Sequence, residues 1–245
     1  MPPILPAALW LVRHGQSTGN VASQTAESGG AELLDLDERD ADVPLSDLGR
    51  EQASALGRWM GGLPDEERPT LAITSPYRRA HDTARTALAE LDGVPLRVDE
   101  RLRDRELGVL DLHTTAGVLA RHPDEAARRH RLGKFYYRPP GGESWADVAL
   151  RLRAALGDPL LGQAGERVVW FLHEAPILLT RYIVEALSEA ELMRIARSVQ
   201  LANCGVSRFE GGPDDLRLVA FNDVHPLPDE GARPTAEPGV RAEPA

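Results

Sequence analysis

The stretch "LWLVRHGQSTGN", residues 9–20, decides how this chain reads. Four apolar residues, Leu9 to Val12, stop at Arg13-His14-Gly15, and small polar residues follow. The run over 8–13 predicts a strand buried on both faces, and Ser17 predicts the start of a helix. The cation, the imidazole and the glycine then stand at a strand's carboxyl end. A following helix turns its N–H groups toward an anion there.

Outward from this unit the same alternation recurs. "TLAITS" (70–75), "PLRVDE" (95–100) and "RVVWFLH" (167–173) predict three more strands. Between them, Ser46 caps a helix within 44–63, a second helix begins just after Pro76 in 77–91, and Ser144 caps a third, with Asp147 three residues on. An apolar helix over 175–187 and two late strands near 205–210 and 216–222 complete the series. Strands alternating with helices predict an α/β fold of three layers, a mainly parallel central sheet with helices on both faces. Ligands of such sheets bind beyond the carboxyl ends of strands. Three polar groups fall there: Arg13-His14, Ser75 to Arg79, and His173-Glu174.

Composition narrows the partners. The 245 residues carry a formal charge of −10, which argues against nucleic acid or an anionic membrane surface as a partner. Lys134 is the only lysine, and Cys204 is the only cysteine, so an intramolecular disulfide is excluded. No apolar run approaches ~18 residues and the opening residues do not read as a signal peptide, so the expected location is cytoplasmic. Residues 1–225 read as a single domain. Within it, 25–43 is an acidic insertion with seven acids to one Arg39, a solvated loop or lid. Residues 226–245, with five prolines and no periodic pattern, are expected to form a disordered tail.

A phosphoryl group suits the strand-end residues. Arginine forks hold its oxygens, glycine lets backbone N–H groups come close, and a neutral imidazole held by an acceptor attacks phosphorus. Arg-His-Gly alone is a weak signal. In chain order, however, "LVRHGQSTGN", "PLSDLGREQA", "ITSPYRRAHDTA", "RLRDRELG", "GGESWADVALRLR" and "VVWFLHEAPI" resemble the motifs of the histidine phosphatase superfamily, in its phosphoglycerate mutase-like branch. The resemblance spans residues 9–187. It implies a phosphoglycerate mutase-like fold and a phosphatase that hydrolyses a phosphomonoester through a phosphohistidine, with no metal and no cofactor.

The resemblance implies roles as well. His14 looks like the nucleophile, Arg13 and Arg79 like the phosphate clamps, and His173 like the second histidine on the phosphoryl group. Ser17 and Asn20 match positions that touch the phosphate or its ester oxygen, and both also suit plain helix capping. The proton donor departs from the pattern: the family's usual glutamate aligns with Asp104, one methylene shorter. Glu174 and Glu106 stay open as alternatives. Lys134 and Arg138, in "GKFYYRPPGGES" (133–144), are candidates to bind a second anionic group of the substrate, with a surface loop as the plain alternative.

Rival chemistries find less support. Glu210 stands where a Cys204-based phosphatase needs arginine, and Arg128 where a P-loop needs glycine. His113, His122 and His130 lack the paired spacing of zinc ligands. A cofactor-dependent mutase is the enzymatic alternative, although its motifs differ from "HEAPI" and "DRELG". A non-catalytic phosphate-binding regulatory module is the other. The expected partner is a small phosphorylated molecule, and a homo-oligomer stays open.

Overall fold

The computed structural model describes residues 5–158, 165–212 and 215–236. Its strands are β1 Ala8–Arg13, β2 Leu71–Thr74, β3 Leu96–Val98, β4 Arg167–Leu172, β5 Val206–Gly212 and β6 Asp215–Asp223. They form one sheet in the order β3-β2-β4-β1-β5-β6. The β1–β4, β2–β4 and β2–β3 pairs are parallel, and β5 joins β1 and β6 antiparallel. The mainly parallel sheet expected from the sequence is therefore present where the motifs lie. The late strands follow each other too closely for a crossover and fold back as a hairpin.

The two central strands are covered on both sides, which is why their sequences are continuously apolar. Leu9, Leu11, Val168, Trp170 and Leu172 pack on one face against α6 (Trp145–Leu156), α7 (Glu174–Val184) and α8 (Glu189–Ser198). Trp10, Val12, Val169 and Phe171 pack on the other, with α2 (Asp47–Gly62) and α3 (Arg78–Leu88). Each such large side chain, fully buried, contributes about 1.5–3 kcal/mol.

Beyond the strands' carboxyl ends stand α1 (Thr18–Gly29), α4 (Thr115–Arg121) and α5 (Pro123–Tyr136). Helices α4, α5 and α8 have no counterpart in the sequence reading. α5 is rich in arginine and histidine and kinks at Gly133, whose φ is 75°. It lacks an apolar stripe because part of it faces a cavity rather than the core.

The acidic insertion divides in two. Its first residues complete α1, and the remainder is a loop with a short 3-10 turn at Asp40–Asp42. The tail expected from residue 226 needs correction. Pro226–Asp229 form a helical turn, Leu227 and Ala232 are buried against the α2 side, and the Gln52 amide donates to the Arg233 carbonyl at 2.8 Å. These residues pack singly and so carry no period for a sequence reading to detect. Residues 237–245 lie outside the described residues. Among the described residues, no helix is long and apolar enough to cross a membrane.

Candidate active site

Sheet register brings the motifs together. Arg13 pairs with Leu172, and Thr74 pairs with Phe171, so β1, β2 and β4 end at one level. One residue further, His14 N–H donates to the Leu172 carbonyl at 3.0 Å, and Ser75 N–H donates to the Phe171 carbonyl at 3.0 Å. His14, Ser75 and His173 thus project from three adjacent strand ends. The two imidazoles lie 5.2 Å apart, centroid to centroid, and both are buried.

The His14 loop is fixed by backbone contacts. Gly15 N–H donates to the Thr83 hydroxyl on α3 at 2.9 Å. A Cβ on Gly15 would stand 2.5 Å from the Gly49 carbonyl oxygen, and one on Gly49 would stand 1.9 Å from the Gln16 oxygen. Only glycines permit this approach of the α2 start to the loop. From the other side, Asn203 Nδ2 donates to the His14 carbonyl at 3.1 Å. Asn203 is held in turn by Thr235, through its own N–H at 2.7 Å and through the Thr235 hydroxyl at 2.9 Å.

His14 Nδ1 lies 2.8 Å from the Gly15 carbonyl. A carbonyl can only accept, so Nδ1 carries the proton and Nε2 keeps its lone pair. Burial above all, and then Arg79, His173 and Arg13, push the His14 pKa well below the usual histidine value. The imidazole is therefore neutral at pH 7. Burial, Arg79, Arg13 and Arg151 do the same to His173, whose Nε2 lies 2.9 Å from the Ser75 hydroxyl.

Arg13 and Arg79 are the buried cations of the site. Arg13 donates to the Leu201 carbonyl, with Glu174 Oε2 at 3.6 Å. Arg79, in the first turn of α3, donates through Nη2 to Asp104 Oδ2 at 3.2 Å. Its other partner, Asp40 of the acidic insertion, was not singled out in the sequence. One carboxylate among the seven acids of residues 25–43 carries no mark of its own. Asp104 Oδ2 also stands 3.4 Å from His173 Nδ1. Of the other donor candidates, Glu174 lines the cavity, whereas Glu106 lies outside it and accepts from the Tyr77 hydroxyl.

Ser17 and Asn20 form a reciprocal capping box at the start of α1 and also line the cavity. Lys134 lines it too, its ammonium 4.6 Å from the centre of the Trp145 ring. Burial, helped by Arg129 and Arg105, lowers its pKa to about 8. Arg105 and Arg129 line the same cavity; Arg105 lies within "RLRDRELG" without a role assigned to it, and Arg129 lies in no motif. Arg138 does not join the site: it pairs with Asp147 at the surface. Facing α6, it satisfies the capping carboxylate of that helix instead of a ligand.

These groups surround a cavity of ≈ 390 Å³. Comparison with known proteins agrees with the geometry. Residues 9–224 match the family described as the histidine phosphatase superfamily (branch 1). Glucosyl-3-phosphoglycerate phosphatase of Mycobacterium tuberculosis is 34% identical over 191 residues, covering 75% of this chain and 74% of the relative. The 2,3-bisphosphoglycerate-dependent phosphoglycerate mutase 2 of Gloeobacter violaceus is 31% identical, covering 85% of this chain and 87% of its own. The mycobacterial glucosyl-3-phosphoglycerate phosphatase structure with VO3 superimposes with a TM-score of 0.66 at 30% identity, over 89% of this chain and 99% of that one. The chain belongs to the histidine phosphatase superfamily, on its phosphoglycerate mutase-like side, and is a phosphomonoester hydrolase of that family.

Proposed function

We propose that the enzyme works by two displacements at phosphorus, through a phosphohistidine on His14. The observation that carries this reading is the Nδ1–carbonyl bond of a buried, neutral His14, which leaves Nε2 as a nucleophile beside two guanidiniums. Nε2 attacks phosphorus, and the ester oxygen leaves with a proton from Asp104. Water then attacks phosphorus and gives its proton to the same carboxylate; the N–P bond breaks, which frees His14 and releases inorganic phosphate. Arg13, Arg79 and His173 hold the phosphoryl oxygens, where charge spreads in the transition state. Glu174, beside Arg13, is the second reading for the proton donor.

The groups around His14 favour an anion over a metal ion, so activity should be indifferent to chelators. The buried thiol of Cys204 fits a reducing, cytoplasmic compartment. The cavity combines cations at Arg105, Arg129 and Lys134 with an apolar wall that includes Leu107, Leu112 and Leu119. We infer a substrate whose alcohol carries an apolar body and a second anionic group. Glucosyl-3-phosphoglycerate, the substrate named for the mycobacterial relative, brings the second anionic group on a hydroxylated sugar and is the first compound to assay.

His14→Ala should lose more than about 10³-fold of turnover. Wild-type protein quenched during turnover should carry acid-labile, base-stable phosphate, and the variant none. Near-normal turnover in the variant would overturn the reading.

A further inference from the structure

Both terminal nitrogens of Arg79 are engaged by carboxylate residues in the conformation it holds. Its Nη1 donates to the Asp40 carbonyl at 2.6 Å and pairs with Asp40 Oδ1 at 2.9 Å. Its Nη2 donates to Asp40 Oδ2 at 3.2 Å and to Asp104 Oδ2 at 3.2 Å. Three of these contacts are hydrogen bonds and the fourth is an ion pair, so at most one of the four terminal N–H groups is not already given to Asp40 or Asp104. A phosphate that takes both terminal nitrogens displaces a carboxylate.

The charge balance says the same. Three carboxylates, Asp40, Asp104 and Glu174, face two guanidiniums, Arg13 and Arg79. The imidazoles between them are neutral. A phosphate dianion therefore meets two guanidiniums already paired with carboxylates, besides the cations Arg105, Arg129 and Lys134 that line the same cavity.

The two carboxylates on Arg79 differ in how firmly they are held. Arg151 Nη2 donates to the Asp104 carbonyl at 3.0 Å, and Arg105 N–H donates to Asp104 Oδ1 at 2.9 Å. Asp40 lies in a stretch whose backbone–backbone ties to the rest of the protein stand only at its ends, with Arg79 as the side chain that holds its middle. The last tie on one side is Leu34 N–H to the Leu112 carbonyl, and on the other Thr18 N–H to the Pro44 carbonyl. Between them, over 35–41, the described residues show no backbone–backbone hydrogen bond to the rest of the protein. Such a stretch opens at low cost.

We propose that Asp40 is an internal competitor for the phosphate: its carboxylate holds the Arg79 fork until a phosphomonoester displaces it and the 35–41 stretch swings away. The proposal rests on the reading of Arg79 as a phosphate clamp. The cost of that displacement falls on substrate and product alike. A substrate offsets the displacement with contacts in the rest of the cavity, whereas inorganic phosphate has nothing else to offer. Asp40 therefore sets affinity against the product and speeds its release.

Calorimetric titration with inorganic phosphate tests this on the wild type, on Asp40→Asn, and on Asp37→Asn, which removes the same charge from an exposed position of the same stretch. Asp40→Asn should bind phosphate about tenfold more tightly, the worth of a charge-assisted hydrogen bond released, and its KM should fall in parallel. Asp37→Asn should stay within about twofold of wild type. In the unaltered protein, saturating phosphate should quicken trypsin cleavage after Arg39. Equal or weaker phosphate binding by Asp40→Asn, or unchanged cleavage after Arg39 with phosphate bound, would overturn the proposal. Phosphate binding to none of the three proteins would instead remove the clamp reading, and this proposal with it.

Discussion

On the floor of the cavity, His14, Ser75 and His173 hang from three neighbouring strands whose ends are levelled by ladder hydrogen bonds. At the rim, Asp40, Arg129 and Lys134 sit on a loop with few ties and on a kinked helix. The floor cannot move one group without moving a strand. The rim can shift its groups singly. Chemistry that needs fixed distances belongs on the first, and discrimination between substrates on the second.

The largest test of this division concerns the proton donor. Asp104→Asn should lower kcat for alkyl phosphates by about 10²-fold or more, because an alkoxide needs an acid to leave. p-Nitrophenyl phosphate, with a good leaving group, should lose less than about tenfold. Glu174→Gln should treat both substrates alike. If Glu174→Gln shows the split and Asp104→Asn does not, the donor stands on the first residue of α7.

Backbone packing gives the next contrast. Gly49→Ala drives a methyl against the Gln16 carbonyl and should cost about 3 kcal/mol. For a chain of this size that lowers Tm by roughly 6–12 °C. At the rim, Gly133→Ala meets open space, and only the positive φ opposes it, a cost of about 1 kcal/mol. Equal shifts in thermal denaturation would break the contrast.

Lys134 supplies a pH test. With its pKa lowered to about 8, it is charged below that pH and neutral above it. Between pH 7 and pH 9.5, KM for a substrate with a second anionic group should rise by about tenfold, as the cation is lost. Lys134→Arg should flatten the rise, and a substrate without the second anion should not show it. The smallest effect belongs to Arg138→Ala. Its surface pair with Asp147 contributes little, so KM should change by less than about twofold. A change as large as that of Lys134→Ala would mean that the arginine turns into the cavity.

The floor was legible in the sequence because its elements announce themselves. Doubly buried strands read as unbroken apolar runs, and Ser17, Ser46 and Ser144 cap where a hydroxyl before a helix should. The rim was not. Helices α4 and α5 turn toward a cavity, which imposes no apolar period. Arg129 and Arg138 look alike in the chain; only the fold decides that one faces the cavity and the other Asp147. Asp40 shows the same limit, since its meaning comes from Arg79, far along the chain.

The bond between Thr235 and Asn203 reaches beyond local packing. Because Asn203 also grips the carbonyl of His14, the segment around Thr235 is wired to the proposed nucleophile through one side chain. Trimming the protein before Thr235, nicking it there with a protease, or pulling on it with a fused tag loosens that grip. A preparation treated this way would keep its sheet and its arginines and still turn over slowly. Activity per molecule then becomes a gauge of whether Thr235 is docked.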